Sequence, residues 1–482
     1  MAHPFVRQSQ RVRTILALVL SLAVLALAAC TGEDGTNWVY TSAVDPVMVI
    51  AASDVSSSPV PTSTPMTALT TAAAVVPQRA VAPPGQALVL AHYMAWFKTP
   101  SVSGQWQHWQ WDPNGNGQPD SGDSLPDLVQ ENGLRQIAAV DYSLIGPYDS
   151  ADPAVIEYQI ASAWAAGIDG FVVDWYGPQD KDDIDTAFAR TLDIVAQWQR
   201  TYGLSFFVGL NYEGKVLLEA DPADREAMLT AHLTDVLNGY ARQSAFLTYR
   251  GLPVIFYFEA WQNGRAGLLR AQQLARVRDN LPPHYLLYMG AEGEFMDVTN
   301  GFFSWVSGAN DDPLDWGADY VNWVYPEMDR RTQSHNLALT VGSVWPGFDD
   351  SKVDGWGTGT PRMIDRQGGA VYDSTWDLAL SAQANEAPDQ PTWVQIVTWN
   401  DWNEGTQIEP SLADGTAWLA ATQDKARLYT GRDMPRSALE VPLRILTLRR
   451  ERPGPQTEAL VRDVYALFFA GDADAALSLM GE

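Results

Sequence analysis

The chain has 482 residues, 46% hydrophobic and 18% charged, with 37 Gly, 30 Pro and one Cys, a composition that supports a large buried core and is neither collagen-like nor wholly disordered. A single cysteine excludes internal disulfides and Cys-based metal clusters, and a net charge of −27 repels phosphate and excludes nucleic acid as a general partner. Nineteen Trp favour flat apolar ligands.

In chain order, the first segment reads as an address. Arg7, Arg11 and Arg13 precede an apolar run from Ile15 to Ala29, the length of a signal-peptide core and short for a membrane span. It ends in Leu27-Ala28-Ala29-Cys30, which resembles the lipobox of bacterial lipoproteins. That resemblance implies removal of residues 1–29, lipidation of Cys30 and an extracytoplasmic, membrane-tethered protein; an ordinary secretory signal is the alternative. Residues 30–86 are expected to be a disordered tether. From Ala51 to Pro84 the chain is mostly Ala, Ser, Thr, Pro and Val, with Asp54 and Arg79 its only charges, too little apolar area to offset the entropy of ordering.

From residue 87 to about 432, short apolar runs alternate with longer amphipathic stretches. The predicted strands are Ala87–Tyr93, Gly170–Trp175, Ser205–Asn211, Pro253–Phe258, Tyr285–Gly290, Gly301–Val306, Leu337–Val344 and Trp393–Trp399. Helices are predicted near 153–166, 182–202, 222–241, 266–280, 313–330, 373–385 and 413–430, and the connection 291–300 is short for one. Near-continuous apolar strands are buried on both faces, as a parallel sheet requires. Eight of them interleaved with helices give an α/β fold, a (β/α)₈ TIM barrel with enlarged loops. A doubly wound sheet is the rival, but no Gly-rich phosphate turn follows the first strand. Residues 433–482 read as a helical C-terminal extension.

Loops at the carboxyl ends of barrel strands carry the chemistry. Those ends present His92, Tyr93 and Trp96; Asp174, Trp175 and Tyr176; Asn211; Glu259; Trp345; and Trp399, Asn400 and Trp402. Aromatic faces stack on sugar rings, while carboxylates and amides bind sugar hydroxyls, so the recurrence of both types describes a saccharide site. Asp401 and Glu404 lie three apart on the turn leaving the last strand. Glycoside cleavage needs one protonated and one ionised carboxyl, and neighbouring acids in an aromatic pocket push their pKa values apart. A Gly/Asn-rich loop whose acids merely cap backbone amides is the alternative.

The stretch Val397 to Pro410, with Trp399-Asn400-Asp401-Trp402-Asn403-Glu404 at its centre, resembles the signature of glycoside hydrolase families 71 and 99, the α-1,3-glucanases and endo-α-mannosidases. Ser343 to Asp350, Arg366-Gln367-Gly368-Gly369, Pro147 to Ser150, Ala166 to Trp175 and His92 to Phe97 are similar too, so the resemblance spans the whole barrel. It implies a cofactor-free (β/α)₈ hydrolase of α-linked glycans, with Glu404 as the acid and Asp401 as the base. Tyr93, Trp96, Asp174, Trp175 and Trp402 would be sugar contacts. Asp401 stands where the endo-mannosidase pattern has Glu, and Asn403 where it has His; the glucanase branch uses an Asp-x-x-Glu pair. Retaining, inverting and 2-hydroxyl-assisted routes stay open.

Asp112, Asn114, Asn116, Gln118, Asp120 and Asp123 have the spacing that opens a calcium loop, so a structural Ca²⁺ is weighed against an Asx/Gly-rich turn. The six His include no pair spaced for a catalytic zinc. A monomer acting on α-mannan or α-glucan is expected, and a non-catalytic, glycan-binding lipoprotein on the same barrel is the rival reading.

Overall fold

The computed structural model describes residues 86–481, excepting 119, 121, 179–182, 259–260, 263–264, 267, 291–292, 307–311, 336 and 384–391. Cys30, the signal-like segment, the tether and Glu259 lie outside the described residues.

Eight strands form the barrel: β1 (Val89–Tyr93), β2 (Gly170–Trp175), β3 (Phe207–Glu213), β4 (Leu252–Phe258), β5 (Tyr285–Met289), β6 (Gly301–Phe303), β7 (Leu339–Val344) and β8 (Thr392–Ile396). Each pairs in parallel with the next, and β8 returns to β1 through Val89 opposite Val394. The ring therefore closes and leaves no open edge. Eight helices alternate with these strands: α1 (Pro153–Ala165), α2 (Ile184–Tyr202), α3 (Arg225–Asn238), α4 (Ala271–Asn280), the single turn α5 (Gly293–Met296), α6 (Ala318–His335), α7 (Ala370–Gln383) and α8 (Ala417–Thr430). The fold is a (β/α)₈ TIM barrel, and the short fifth connection holds one helical turn.

Two apolar cores explain the near-continuous hydrophobic strands. Leu90, Val172, Val254, Phe256, Leu287, Phe303, Val341 and Trp393 fill the barrel interior. Their strand neighbours, such as Ala91, Phe171, Val173, Ile255 and Val394, pack outward against the helices. Alternate side chains of one strand thus serve opposite faces.

Strand ends differ from expectation where the chain finds other partners. β3 runs two residues further because Tyr212 and Glu213 pair with Tyr257 and Phe258. β8 stops at Ile396 rather than Trp399 because the chain there folds back on itself: Thr398 N donates to Thr406 O, and Ile408 N and Glu409 N donate to the Thr398 and Trp399 carbonyls.

Beyond the barrel, α9 (Val441–Glu451), α10 (Pro455–Phe469) and α11 (Ala473–Met480) pack against its flank. Arg449 of α9 bridges Glu157 of α1 and Glu458 of α10. Tyr465 and Phe469 pack at a tilt against Trp198 of α2, with ring centroids 4.6 and 5.1 Å away. This buried aromatic seam ties the extension to α1 and α2.

Candidate active site

The turn that leaves β8 is built by its own side chains. Thr398 Oγ1 accepts from Asp401 N at 2.7 Å, and Asp401 Oδ1 accepts from Glu404 N at 2.9 Å. Gly405 follows with φ of 60°, and a Cβ there would sit 3.0 Å from the Asp349 backbone. Only glycine lets this turn lie against the segment after β7, where Asp349 N donates to Glu404 O at 2.7 Å. Asp401 is 1% exposed, whereas the Glu404 side chain keeps 20% of its surface open. Two carboxyls therefore share one turn, one sealed beneath and one at the mouth.

Both carboxyls are held above the usual carboxylate range. Burial is the largest cause for Asp401, followed by the charge of Glu404, with Asp174 adding to it; backbone amides of Glu404 and Asn403 oppose the shift. Burial also leads for Glu404, and the Arg362 guanidinium and the Trp356 N–H pull it back, while Asp350 pushes it up. Burial and the mutual repulsion of two adjacent acids separate their ionisations, so that one can donate a proton while the other accepts.

Aromatic rings from several loops gather beside Glu404. Trp356 Nε1 donates to Glu404 Oε1 at 2.9 Å. Its ring stands edge-on to Trp96, His108 and Trp111 at 6.3, 6.1 and 6.1 Å. Trp96 and His108 stack at 4.5 Å and 11°, and Tyr176 meets Trp96 edge-on. Burial pushes the His108 imidazole down to about 3, so the ring is uncharged at neutral pH. Lys215 Nζ lies 4.9 Å from the Tyr176 ring centroid.

Beneath the pair, three strands present polar groups inward. Asn211 Nδ2 donates to Asp174 Oδ1 at 2.8 Å, His92 Nε2 is 3.9 Å from the same oxygen, and Trp305 packs edge-on against His92 at 4.5 Å. Both His92 ring nitrogens, Asn211 Oδ1 and Trp96 Nε1 are buried without a hydrogen-bond partner among the described residues. Buried polar groups normally find partners; such a set suits a hydroxyl-rich ligand.

The structure thus brings together Asp401, Glu404, His92, Asp174, Asn211, Trp96 and Tyr176. Other expected sugar contacts hydrogen-bond or pack away from this group. Tyr93 donates from its hydroxyl to Gln159 of α1, and Trp175 donates to Asp185 of α2. Trp345 and Trp399 are fully buried in the layer between strands and helices. Asn400 clasps the Met94 backbone, and Trp402 donates to Glu409. The cause is strand alternation: next to an inward His92 or Asp174, Tyr93 or Trp175 must face out. His108, Lys215, Trp356 and Arg362 were missed, and only the loop conformations bring them to the acids.

Four oxygens of the residues spaced for calcium accept within the loop itself, while Asp112 Oδ1 is buried with no hydrogen-bond partner among the described residues. Asp112 Oδ2 accepts from Gly117 N, Asn116 Oδ1 from Gln118 N, Asp120 Oδ2 from Asn116 Nδ2, and Asp123 Oδ2 from Asp120 N. Asn114 and Gln118 lie on the exposed tip. Among the described residues no three His, Cys, Asp or Glu side chains converge as a metal site.

Comparison with known proteins follows the same outline. Residues 84–432 match the family model described as Glycosyl hydrolase family 99. A glycoprotein endo-alpha-1,2-mannosidase of Mus musculus is 24% identical over 381 residues, covering 72% of this chain and 73% of that protein. A glycoprotein endo-alpha-1,2-mannosidase-like protein of Homo sapiens is 25% identical over 354 residues, covering 68% and 69%. The solved GH99 endo-alpha-mannosidase from Bacteroides thetaiotaomicron superposes with a TM-score of 0.53 at 21% identity, over 70% of this chain and 97% of that one.

Proposed function

Since this chain belongs to glycosyl hydrolase family 99 and is a glycoside hydrolase, we propose that it cleaves α-linked mannose glycans with Glu404 as general acid and Asp401 as general base. The observation that carries this reading is the pair itself: two carboxyls on one rim turn, both raised by burial, beside stacked aromatic rings. The relatives named for α-mannosidase activity support the choice of sugar.

In this reading Glu404 gives its proton to the glycosidic oxygen as the bond from that oxygen to the anomeric carbon breaks, and the bonding electrons leave with the oxygen. Asp401 takes a proton from the nucleophile that adds to the same carbon. Backbone amides of Glu404 and Asn403 donate to its carboxylate and offset part of the rise that burial and the Glu404 charge impose. Arg362 and Trp356 keep Glu404 from rising so far that it could not release its proton.

The test is a panel of α-mannan and α-glucan oligosaccharides, with NMR of the first-formed anomer. Cleavage of α-mannan is expected. Cleavage of α-glucan alone would refute the sugar assignment, and binding of the panel without any cleavage would favour the glycan-binding reading. Retained configuration points to the substrate's own 2-hydroxyl or an enzyme carboxylate as nucleophile, and inversion to water.

The lipobox-like Leu27-Ala28-Ala29-Cys30 supports a lipid-anchored, extracytoplasmic enzyme. Labelled palmitate should enter the wild type and not Cys30→Ser, which should leave the membrane fraction.

A further inference from the structure

The segment after β7 leaves the barrel at Trp345 and returns as a short antiparallel pair, Phe348–Asp349 with Met363–Ile364. Between them the chain arches over the mouth of the site, with Gly355 and Trp356 in left-handed backbone at φ of 58° and 54°. Its inner side delivers two groups to one atom. Trp356 Nε1 donates to Glu404 Oε1 at 2.9 Å, and an Arg362 Nη2 approaches the same oxygen to 3.9 Å. Glu404 Oε2 receives neither.

Arg362 is itself tethered. Its Nε and Nη2 donate to Asp350 Oδ2 at 2.8 and 2.7 Å, and its backbone N donates to Asp350 Oδ1 at 2.6 Å. Asp350 is fully buried, so most of the guanidinium charge is answered before it reaches Glu404. Its plane also covers Phe348, 4.8 Å from the ring centroid, which limits its swing.

An indole N–H can donate and never accept. The carbonyl oxygen of a carboxylic acid accepts more strongly than its hydroxyl oxygen, so a protonated Glu404 that keeps this bond favours its hydrogen on Oε2. We infer that Trp356, with the Asp350–Arg362 pair behind it, orients Glu404 as a proton donor by reserving Oε1 as an acceptor and leaving Oε2 to hold the transferable proton. Trp356 and Asp350 are positioning residues that act through Glu404. The inference rests on the reading of Glu404 as the acid. In the step itself, the proton passes from Oε2 to the leaving oxygen while the anomeric bond breaks toward that oxygen, and the negative charge left on Glu404 meets Trp356 and Arg362.

The charged and titratable groups around Glu404 are Asp401 on its own turn, Asp350 and Arg362 from the arch, Lys215 after β3, and the neutral His108. Arg362 favours the ionised acid and Asp350 opposes it. Asp350→Asn leaves the guanidinium charge unanswered. The Glu404 proton is then lost at lower pH, and the alkaline limb of the rate profile shifts downward.

The experiment compares two substrates in wild type, Glu404→Gln, Trp356→Phe and Asp350→Asn: an α-mannooligosaccharide, whose leaving sugar needs a proton, and the matching α-mannosyl fluoride, whose leaving group needs little. Glu404→Gln should slow the oligosaccharide by about a hundredfold or more and the fluoride far less. Trp356→Phe keeps a ring and loses the N–H, and should reproduce that pattern at about tenfold, in kcat rather than KM. If Glu404→Gln separates the substrates and Trp356→Phe slows both equally or neither, the inference fails and the acid assignment stands. If Glu404→Gln does not separate them, the acid assignment itself fails. Should Trp356→Phe not fold, Asp350→Asn decides: a downward shift of the alkaline limb supports the device, and an unchanged or raised limb overturns it.

Discussion

The turn after β8 has two sides that share a few residues of backbone and little else. On its front, Asp401 and Glu404 meet each other, with Arg362, itself paired to Asp350, as the cation beside Glu404 at 3.9 Å. On its back, Asn400, Trp402 and Glu409 are tied into one network of neutral hydrogen-bond partners. The Tyr148 hydroxyl accepts from Asn400 Nδ2 at 3.0 Å and from Trp402 Nε1 at 3.2 Å, and donates to Glu409 Oε2 at 2.7 Å. Gln159 Nε2 donates to Glu409 Oε1 at 2.8 Å. Trp402 stands between the two acids in sequence and faces away from both. A rigid, satisfied back is what allows two like-charged acids at the front to keep their geometry.

If the division is real, substitutions on the two sides should fail in different ways. The largest effect belongs to the front. Asp401→Asn should cut kcat by about a hundredfold to ten-thousandfold with little change in thermal midpoint, since an amide oxygen can still accept from Glu404 N. A matching loss of stability would erase the distinction.

Next comes the pH dependence of stability. Burial pushes Glu409 up from its ordinary 4.5 to about 7. The folded state therefore binds this proton more tightly than the unfolded chain, so the contribution is full below pH 4.5 and is lost as pH rises through about 7. Over that window it amounts to up to about 3 kcal/mol. Denaturant titrations of Glu409→Gln should lose this share of the slope; an identical slope would remove Glu409 as its source.

Tyr148→Phe strips one hydroxyl from Asn400, Trp402 and Glu409 together. It should cost about 1–3 kcal/mol of stability in chemical denaturation, with activity falling less than in the front-side variant. Smallest is Tyr93→Phe. It breaks one bond to Gln159 behind the strands, worth about 1 kcal/mol, and should leave KM for the glycan unchanged. A raised KM would return Tyr93 to the site.

How much was legible in the sequence follows from the same geometry. The eight strands stood out because both of their faces are buried, which writes a run such as Val89-Leu90-Ala91 or Phe171-Val172-Val173 in apolar residues throughout. That very continuity hides which residues face in. With no polar alternation to read, His92 could be told from Tyr93, or Asp174 from Trp175, only once the ring closed. Asp401 and Glu404 were legible because three residues of one turn bring them together. Trp356 and Arg362 were not, since their meeting with Glu404 depends on an arch of backbone held by Asp350, and no local spacing encodes it.

The most direct test of the account is to measure binding and turnover of one α-mannooligosaccharide by Glu404→Gln, using calorimetry and product analysis on the same preparation. The account predicts an affinity within a few-fold of wild type and a turnover reduced by about a hundredfold or more. Turnover that survives the substitution would contradict it.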